Sequence, residues 1–138
     1  MVVTLRNYRA EDYPQIRSNL EIARLFWEDM DSELLLSRMI ARDPESIIVA
    51  EDNGHVAGSA YFIDMGFAAM SWRLNVIFEY RKKGVAKQLI DEAKMRAKKR
   101  GFTQIQFVVH EEQERLRKWY QQQGAWSESL YRWMVFDL

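Results

Sequence analysis

A basic turn at residues 81–87 is the part of the sequence whose residue types point most directly to chemistry. It places Gly84 among four cationic side chains, which are Arg81, Lys82, Lys83 and Lys87. A helical pattern follows, and the first amides of a helix lack intrahelical partners and lie at the positive end of its dipole. Because glycine has no Cβ, another group can approach the backbone closely. The basic turn therefore predicts a site for an anion such as a pyrophosphate, although an ordinary strand-to-helix turn with solvated lysines would contain the same residues.

A strand and a helix must position this turn. The apolar segment Leu74–Phe78 precedes it and has a strand pattern. After the turn, apolar residues recur at helical spacing as far as Gly101, which is a typical helix-ending residue. These residues are Val85, Ala86, Leu89, Ile90, Ala93 and Ala97. A further strand, Thr103–Val109, completes a βαβ unit with a right-handed crossover.

The rest of the chain alternates between strand and helix patterns. The other predicted strands are Val2–Tyr8, Ser46–Glu51, His55–Asp64 and Trp126–Leu138. Three other helices are predicted. The first runs from Ala10 to Trp27, the second from Asp31 or Ser32 to Ile40, and the third from Glu111 to Gln123. Asn53-Gly54 predicts a hairpin, since both turn residues favour positive φ. The order β-α-α-β-β-β-α-β-α-β predicts a fold of the α/β class whose sheet is mixed, as in α+β proteins, with helices on both faces. We expect a single domain over residues 1–138.

Composition excludes several classes of protein. The 138 residues include no cysteine and two histidines, which rules out disulfides and a cysteine nucleophile and disfavours a metal site. Without an apolar run typical of a signal peptide or a membrane span, we expect a soluble cytoplasmic protein. Residues 1–80 contain seven basic and thirteen acidic residues, a net charge of −6. Residues 81–138 contain thirteen basic and seven acidic residues, a net charge of +6. The two halves would suit a cationic substrate and an anionic cofactor.

Three motifs recur in one known family: Arg81-x-x-Gly84-x-Ala86, Trp119-Tyr120 with Gly124, and Arg9-Ala10-Glu11-Asp12. They give the chain a resemblance to the GNAT superfamily of N-acetyltransferases. Arg81-x-x-Gly84-x-Ala86 resembles the family signature Arg/Gln-x-x-Gly-x-Gly/Ala at the start of the third helix. Trp119-Tyr120, followed by Gly124 and Trp126, resembles the end of the fourth helix, with Ala125 where an aromatic residue often stands. Arg9-Ala10-Glu11-Asp12 is similar to the beginning of the first helix. Together the motifs span nearly the whole chain in the family's order.

The resemblance implies a coenzyme A site made mainly of backbone groups. The basic turn would hold the pyrophosphate through Arg81, Lys82, Lys83, Gly84, Val85, Ala86 and Lys87. The fourth and fifth strands would splay apart, and the pantetheine arm would bond along Val76, Ile77 and Phe78 like an added strand. The amide of Val76 or Ile77 would face the acetyl oxygen. Gln113 stands where many relatives have an asparagine that contacts the pantetheine.

The resemblance also implies direct acyl transfer from acetyl-CoA to a primary amine in a ternary complex. Tyr120 matches the family's tyrosine, which contacts the cofactor and acts as general acid toward the departing thiolate. Its other interpretation is a core aromatic residue beside Trp119. The base is open: His110 is a candidate because histidine is the side chain that most often acts as a general base, although a backbone-bonded histidine at a strand end is an equal alternative. Asp64 is a further candidate.

The loop between the first two helices is implied to line the acceptor site. Trp27, Glu28 and Asp29 are aromatic and acidic, which suits a cationic amine such as a polyamine, a lysine or a peptide N-terminus. The alternative is that Asp31 caps a helix while Glu28 and Asp29 are solvated. The short tail after Trp126 leaves open a homodimer in which a second subunit completes the acceptor side.

Two other functions fit parts of the sequence. A domain that binds acyl-CoA without turnover would act as a sensor or interaction module, and the unassigned base and Gln113 leave room for it. Nucleic-acid binding is less well supported. Residues 81–100 carry nine Lys or Arg against Asp91 and Glu92, but zero net charge and the small-residue turn fit a single pyrophosphate better. We expect neither a metal nor a membrane as a partner.

Overall fold

The computed structural model describes residues 2–138, and their regular structure consists of five strands and five α-helices. The strands are β1 (Thr4–Asn7), β2 (Ile47–Asp52), β3 (His55–Asp64), β4 (Ala69–Val76) and β5 (Ile105–Gln106). The helices are α1 (Tyr13–Ile22), α2 (Glu28–Asp31), α3 (Glu33–Arg42), α4 (Val85–Lys99) and α5 (Glu114–Gln122). Short 3-10 helices, Ala10–Asp12 and Phe78–Tyr80, precede α1 and α4.

The chain divides into two compact units. The first extends to Phe107 and contains all five strands and the helices α1 to α4, whereas the second, Val108–Leu138, contains α5. No helix among residues 2–138 has the length and apolar character that crossing a membrane requires. The single domain expected from the sequence stays a prediction.

One five-stranded sheet forms the centre of the first unit, with its strands in the order β1-β2-β3-β4-β5. The first three pairs are antiparallel and β4 pairs with β5 in parallel, so the sheet is mixed as predicted. Asn53 and Gly54, between β2 and β3, have φ of 48° and 84°. These positive values confirm the predicted hairpin, because a tight two-residue connection requires them.

Helices cover both faces of the sheet. On one face α1 and α3 contribute to a core that includes Ile16, Leu36 and Val49. On the other face α4 contributes to a core that includes Leu89 and Ile48. Because consecutive side chains of a strand point to opposite faces, β2 is buried on both sides, which explains its continuous apolar run. The predicted fold class is confirmed.

The first two predicted helices differ from the observed ones where the chain turns between them. α1 ends at Ile22 and does not reach Trp27, because Arg24 has a left-handed φ of 59° that a right-handed helix cannot include. Of the two predicted caps for the following helix, Ser32 is correct. Its hydroxyl accepts the Leu35 amide at 3.3 Å, which is the usual N-cap bond.

One predicted strand is longer than the observed one, and another does not form. β5 covers only part of the predicted Thr103–Val109, because β4 pairs with it only at Ala69 and Met70. Trp126–Leu138 forms no strand in the described part of the chain, and most of its large apolar side chains are exposed. Strand-forming residues are not sufficient, since a strand is stabilised by its ladder and by packing against neighbours.

Candidate functional site

The start of α4 presents backbone amides that have no partner inside the helix. Gly84 is the N-cap residue with a φ of 82°, and the first intrahelical bond runs from the Gln88 amide to the Gly84 carbonyl at 3.0 Å. The amides of Val85, Ala86 and Lys87 precede that bond, and Gly84 has no side chain to cap them. They lie at the positive end of a helix of 15 residues, where an anion is stabilised.

The space above Gly84 is open. A Cβ built on this residue would meet no heavy atom within 4 Å among the described residues. The glycine is therefore not needed to avoid a clash within the protein. Its φ of 82° is a conformation that residues with side chains rarely adopt. The backbone thus explains the glycine, and the open space leaves room for a ligand close to the amides.

The four basic side chains of the turn are all exposed and surround the same helix start. Arg81 Nε donates to the Val76 carbonyl at 3.1 Å. Lys83 Nζ lies 5.7 Å from the centre of the Tyr80 ring, and Lys87 pairs with Asp91 at 2.7 Å. Exposed contacts of this kind are individually weak. The cations are therefore able to turn toward an anion bound at the amides.

A bulge interrupts β4 at Arg73, which has a left-handed φ of 58°. Ser59 pairs with Asn75 and Tyr61 pairs with Trp72, so one residue of β3 lies opposite two of β4. An extra residue of this kind bends its strand and increases the local twist.

Beyond the bulge, β4 continues without β5. The parallel ladder joins only Ala69 with Ile105 and Met70 with Gln106, whereas β4 runs on to Val76. The predicted splaying of the fourth and fifth strands is therefore confirmed. Within the described chain, Val76 has no strand partner on the side away from β3.

The Val76 amide is directed toward this open edge. The neighbouring Ile77 amide donates to the Ala57 carbonyl on β3 at 3.0 Å. Backbone groups of consecutive strand residues point to opposite sides, so the Val76 N–H faces away from β3. Of the two amides expected to face an acetyl oxygen, Ile77 is already bonded and Val76 remains. Strand structure also ends at Val76, because Phe78 begins a 3-10 helix, so the predicted strand Leu74–Phe78 is two residues too long.

The segment predicted to line the acceptor site is a short helical turn. Trp27 is the N-cap of α2, and Glu28 and Asp29 are exposed in its first turn. Asp31, which ends α2, is fully buried and forms an ion pair with Arg73 at the bulge, with 3.1 Å between Oδ1 and Nε. Sequence reasoning did not predict this ion pair, because a lone arginine in a strand pattern carries no local signal.

In the second unit, Tyr120 lies on α5 and is partly buried. Its ring makes an edge contact with Trp119, with ring centres 5.1 Å apart. Burial raises the pKa of the Tyr120 hydroxyl to about 12, so this group stays protonated through the neutral range. Gly124 follows α5 with a φ of 96°, as the helix-ending glycine predicted from the sequence should.

The other two predicted residues of this unit lie in the turn before α5 and are exposed. His110 Nδ1 accepts the Glu112 amide at 3.2 Å, and the His110 carbonyl accepts the Gln113 amide at 2.9 Å. Gln113 is the residue immediately before α5. His110 thus has the backbone-bonded arrangement that was the alternative to catalysis. Its role as a base and the cofactor contact of Gln113 stay predictions.

Asp64 is not suited to act as the base. It ends β3, whereas Gly58, near the start of the strand, pairs with Val76. Six residues of strand separate the two positions, which is roughly 20 Å. The Gly66 amide and the Arg100 guanidinium donate to the Asp64 carboxylate and hold its pKa below the ordinary value. A carboxylate held in this way is a poor proton acceptor.

The fold and the basic turn together define the class of protein. A mixed sheet whose fourth and fifth strands part, followed by a basic glycine turn at a helix start, is the architecture expected of an N-acetyltransferase of the GNAT type. The model of the Acetyltransferase (GNAT) family matches residues 3–125. The chain belongs to this family.

The chain is also similar to individual proteins, in sequence or in fold. The chain is 28% identical over 108 residues to an acetyltransferase of Pectobacterium atrosepticum, which covers 78% of this chain and 77% of that protein. Its fold is similar to that of a transcriptional regulator from Bacillus halodurans, with a TM-score of 0.80, 22% identity, and coverage of 98% of this chain and 100% of that one. It is also similar to the PaiA N-acetyltransferase of Thermoplasma acidophilum solved in complex with coenzyme A, with a TM-score of 0.75, 19% identity and 89% of both chains covered.

Proposed function

We propose that this protein transfers an acetyl group from acetyl-CoA to a primary amine, by direct attack of the amine in a ternary complex. The observation that carries the proposal is the basic turn, with three helix-start amides before the first intrahelical bond, open space above Gly84 and four exposed cations. A pyrophosphate has the charge and the acceptor oxygens that such a site binds. The similar Thermoplasma acidophilum protein was solved with coenzyme A, which supports the choice of this cofactor.

Groups of this chain would act at two points of the reaction. The amine nitrogen attacks the acetyl carbon, so the N–C bond forms and the C–S bond breaks. The Val76 amide would donate to the acetyl oxygen as it gains negative charge. The amine loses a proton to a base or through water. The departing sulfur needs a hydrogen bond or a proton, and we assign that role to Tyr120.

The raised pKa of Tyr120 bears on whether its hydroxyl transfers a proton to the sulfur or only donates a hydrogen bond. With a pKa of about 12, the hydroxyl is a weaker acid than a thiol, whose ordinary pKa is about 8.5, so complete proton transfer to the thiolate is unfavourable. A hydrogen bond from the neutral hydroxyl requires no such transfer and stabilises the charge that builds on the sulfur. Tyr120 therefore acts as a hydrogen-bond donor in the proposed mechanism, and solvent completes the protonation.

A cationic amine is the proposed acceptor class. Glu28 and Asp29 are exposed, and residues 1–80 have seven basic against thirteen acidic side chains. This balance favours the approach of a cation, which the ring of Trp27 would contact. A polyamine, a lysine side chain and a peptide N-terminus all have this chemistry.

A thiol-release assay tests the proposed function. The protein would be incubated with acetyl-CoA and with polyamines, amino acids, aminoglycosides or short peptides, and free thiol would be followed over time. Release above the acceptor-free rate, with an acetylated amine confirmed by mass, supports the transferase. Calorimetric binding of acetyl-CoA without release for any amine would favour a binding domain that lacks turnover. Absence of binding would refute the proposed cofactor site.

A further inference from the structure

The carboxylate of Asp31 joins three parts of the first unit. Asp31 is fully buried, at 0% exposure. Its Oδ1 accepts the Tyr61 hydroxyl from β3 at 2.9 Å and Arg73 Nε from β4 at 3.1 Å. Its Oδ2 accepts the Trp27 amide at 2.9 Å. A buried carboxylate is tolerated only when it is hydrogen-bonded and paired with a cation. Here the partners come from two strands and from the segment predicted to line the acceptor site.

Arg73 is held in a conformation that its side chain disfavours. A φ of 58° is uncommon and strained at such a residue, and it persists only where the surroundings enforce it. Asp31 binds the guanidinium, and Asn75 Nδ2 donates to the Arg73 carbonyl at 2.9 Å. Asn75 Nδ2 also donates to the Ser59 hydroxyl on β3 at 3.1 Å. The side chain and the backbone of the strained residue are therefore both fixed by other residues.

The bulge at Arg73 decides which way the Val76 amide points. With the bulge, Gly58 lies opposite Val76, and Ala57 accepts the Ile77 amide. Without the extra residue the register would shift by one, and Ala57 would lie opposite Val76. The Val76 amide would then be bonded to β3, because a shift of one residue exchanges the two edges of a strand. The bulge is therefore what frees this amide.

We propose that Asp31 is a positioning residue of the acetyl-transfer site. By binding Arg73 it keeps the bulge in place, and the bulge keeps the Val76 amide turned to the open edge of β4. By binding the Trp27 amide it attaches the acceptor-side segment to the same point. The inference rests on the proposed function, since it gives Val76 a part in acetyl transfer. Asp31 itself contacts no reacting atom and acts through Arg73 and Trp27.

Three variants separate this role from simple stabilisation. Asp31→Asn keeps the size of the side chain and still accepts hydrogen bonds, but it removes the charge pair with Arg73. Arg73→Gly removes the same pair and adopts a positive φ without strain. The double variant Asp31→Asn with Arg73→Gly leaves neither charge alone and retains a residue that favours the bulge.

Asp12→Asn is the matched control. Asp12 is also a buried carboxylate, 4% exposed, and is paired with Arg6 at 2.8 Å. Arg6 lies on β1, which β2 and β3 separate from β4. The control therefore breaks a similar ion pair at a distance from the bulge.

We expect Asp31→Asn to lower kcat by on the order of tenfold to a hundredfold, as slight misplacement of reacting groups does, with coenzyme A affinity within about twofold of wild type. The KM for the amine should rise. Asp12→Asn should leave kcat nearly unchanged, and the double variant should recover most of the kcat that Asp31→Asn loses. In amide NMR spectra, the Val76 resonance should move in Asp31→Asn and return toward its wild-type position in the double variant.

The proposal is overturned if folded Asp31→Asn and Asp12→Asn have the same kcat, or if the double variant is no more active than Asp31→Asn. An unmoved Val76 resonance in Asp31→Asn overturns it as well, whether or not the protein is an active enzyme. A wild-type protein that releases no thiol with any amine refutes the proposed function instead. In that case the Val76 resonance still decides whether Asp31 holds the bulge.

Discussion

The hydroxyl of Tyr120 and the amide of Val76 obtain their proposed roles from their immediate surroundings. Burial raises the pKa of the Tyr120 hydroxyl to about 12, so the protonated form persists into alkaline solution. The Ile77 amide donates to the Ala57 carbonyl on β3, so the neighbouring Val76 amide points away from β3 and is not part of that ladder. Both are neutral donors, and neutral donors stabilise a developing anion without first losing or gaining a proton.

Tyr120→Phe should lower kcat by about a hundredfold, which is the lower part of the range for losing one hydrogen-bond donor to a developing anion. The KM for acetyl-CoA should change little, because the ring and its contact with Trp119 remain. Steady-state kinetics with a saturating amine measures both constants. Tyr131→Phe, at a residue that is 87% exposed in the same unit, is the control and should behave as wild type. An equal kcat for the two variants would remove Tyr120 from the mechanism.

The pH profile of kcat should lack an alkaline decline caused by Tyr120. A general acid or donor acts in its protonated form, and Tyr120, with its pKa of about 12, keeps that form in any ordinary assay buffer. Activity should therefore rise as the amine loses its proton and show no decline up to roughly pH 10. Measuring kcat from about pH 6 to pH 10 checks this. A decline near pH 9 that Tyr120→Phe lacks would contradict the buried, neutral tyrosine.

Among the elements, α4 combines a packing face with a binding end. Its buried residues, such as Val85 and Leu89, pack on the sheet and fix the direction of the helix. Its N-terminal end carries the amides of Val85, Ala86 and Lys87, which have no partner inside the helix, and the exposed side chain of Lys87. The bulge in β4 and the short β5 keep the adjacent strand edge unpaired. The proposed cofactor site therefore depends on the N-terminal end of α4 and on the C-terminal end of β4, and its residues contribute mainly backbone groups.

Gly84→Glu should lower acetyl-CoA affinity by at least about tenfold, or ~1.4 kcal/mol, because a carboxylate would fill the open space and repel the phosphates. Titration calorimetry measures the change. Gly101→Glu is the matched control, since Gly101 has a φ of 87° and equally open surroundings at the other end of the same helix. Backbone strain is therefore similar in the two variants, and only the position relative to the helix start differs. Equal affinity in both would place the phosphates elsewhere.

At the scale of the whole molecule, ion pairs join distant segments of the first unit. Arg100, just after α4, contacts the carboxylates of Asp43, Glu45 and Asp64 at 2.6, 3.1 and 3.1 Å. Asp43 receives two bonds from the guanidinium, at 2.6 and 3.0 Å. A paired geometry of this kind is the strongest form of a surface ion pair. The network links the loop before β2, the end of β3 and the end of α4.

Asp43→Asn should reduce the free energy of unfolding by ~1 kcal/mol at neutral pH. The hydrogen bond from Arg100 holds the Asp43 pKa below its ordinary value of 3.8. A depressed carboxylate pKa contributes stability above the unfolded value, and this contribution is lost as the pH falls through the folded one. The difference from wild type should therefore be complete at pH 7, begin to shrink near pH 3.8, and disappear once the pH is below the depressed pKa of folded Asp43.

Urea unfolding at several pH values measures this difference. Glu21→Gln is the control, because Glu21 forms an exposed pair with Arg17, at 51% side-chain exposure, and should change stability little at any pH. If the difference for Asp43→Asn persisted unchanged in acid, the ion pair would not be its source.

Features whose energy is local could be predicted from the sequence alone. Asn53-Gly54 specified its hairpin because both residues tolerate positive φ, and Ser32 was recognisable as a cap because its partner is three residues away. The apolar spacing after Gly84 specified α4 and its buried face. Local patterns of this kind were therefore enough to predict the mixed sheet, the helices on both faces and the basic turn that leads to the GNAT family.

Contacts between residues that are far apart in sequence determine which of these groups are free and which are bound. Arg73 and Asp31 are 42 residues apart, and their pairing, with the bulge that makes Val76 the available amide, has no local signature. In the same way, β5 ends at Gln106 and Trp126–Leu138 forms no strand, because a strand needs a neighbouring strand to pair with. Turns and caps are stabilised by neighbours in sequence, whereas ladders and buried ion pairs exist only when another element supplies the second half.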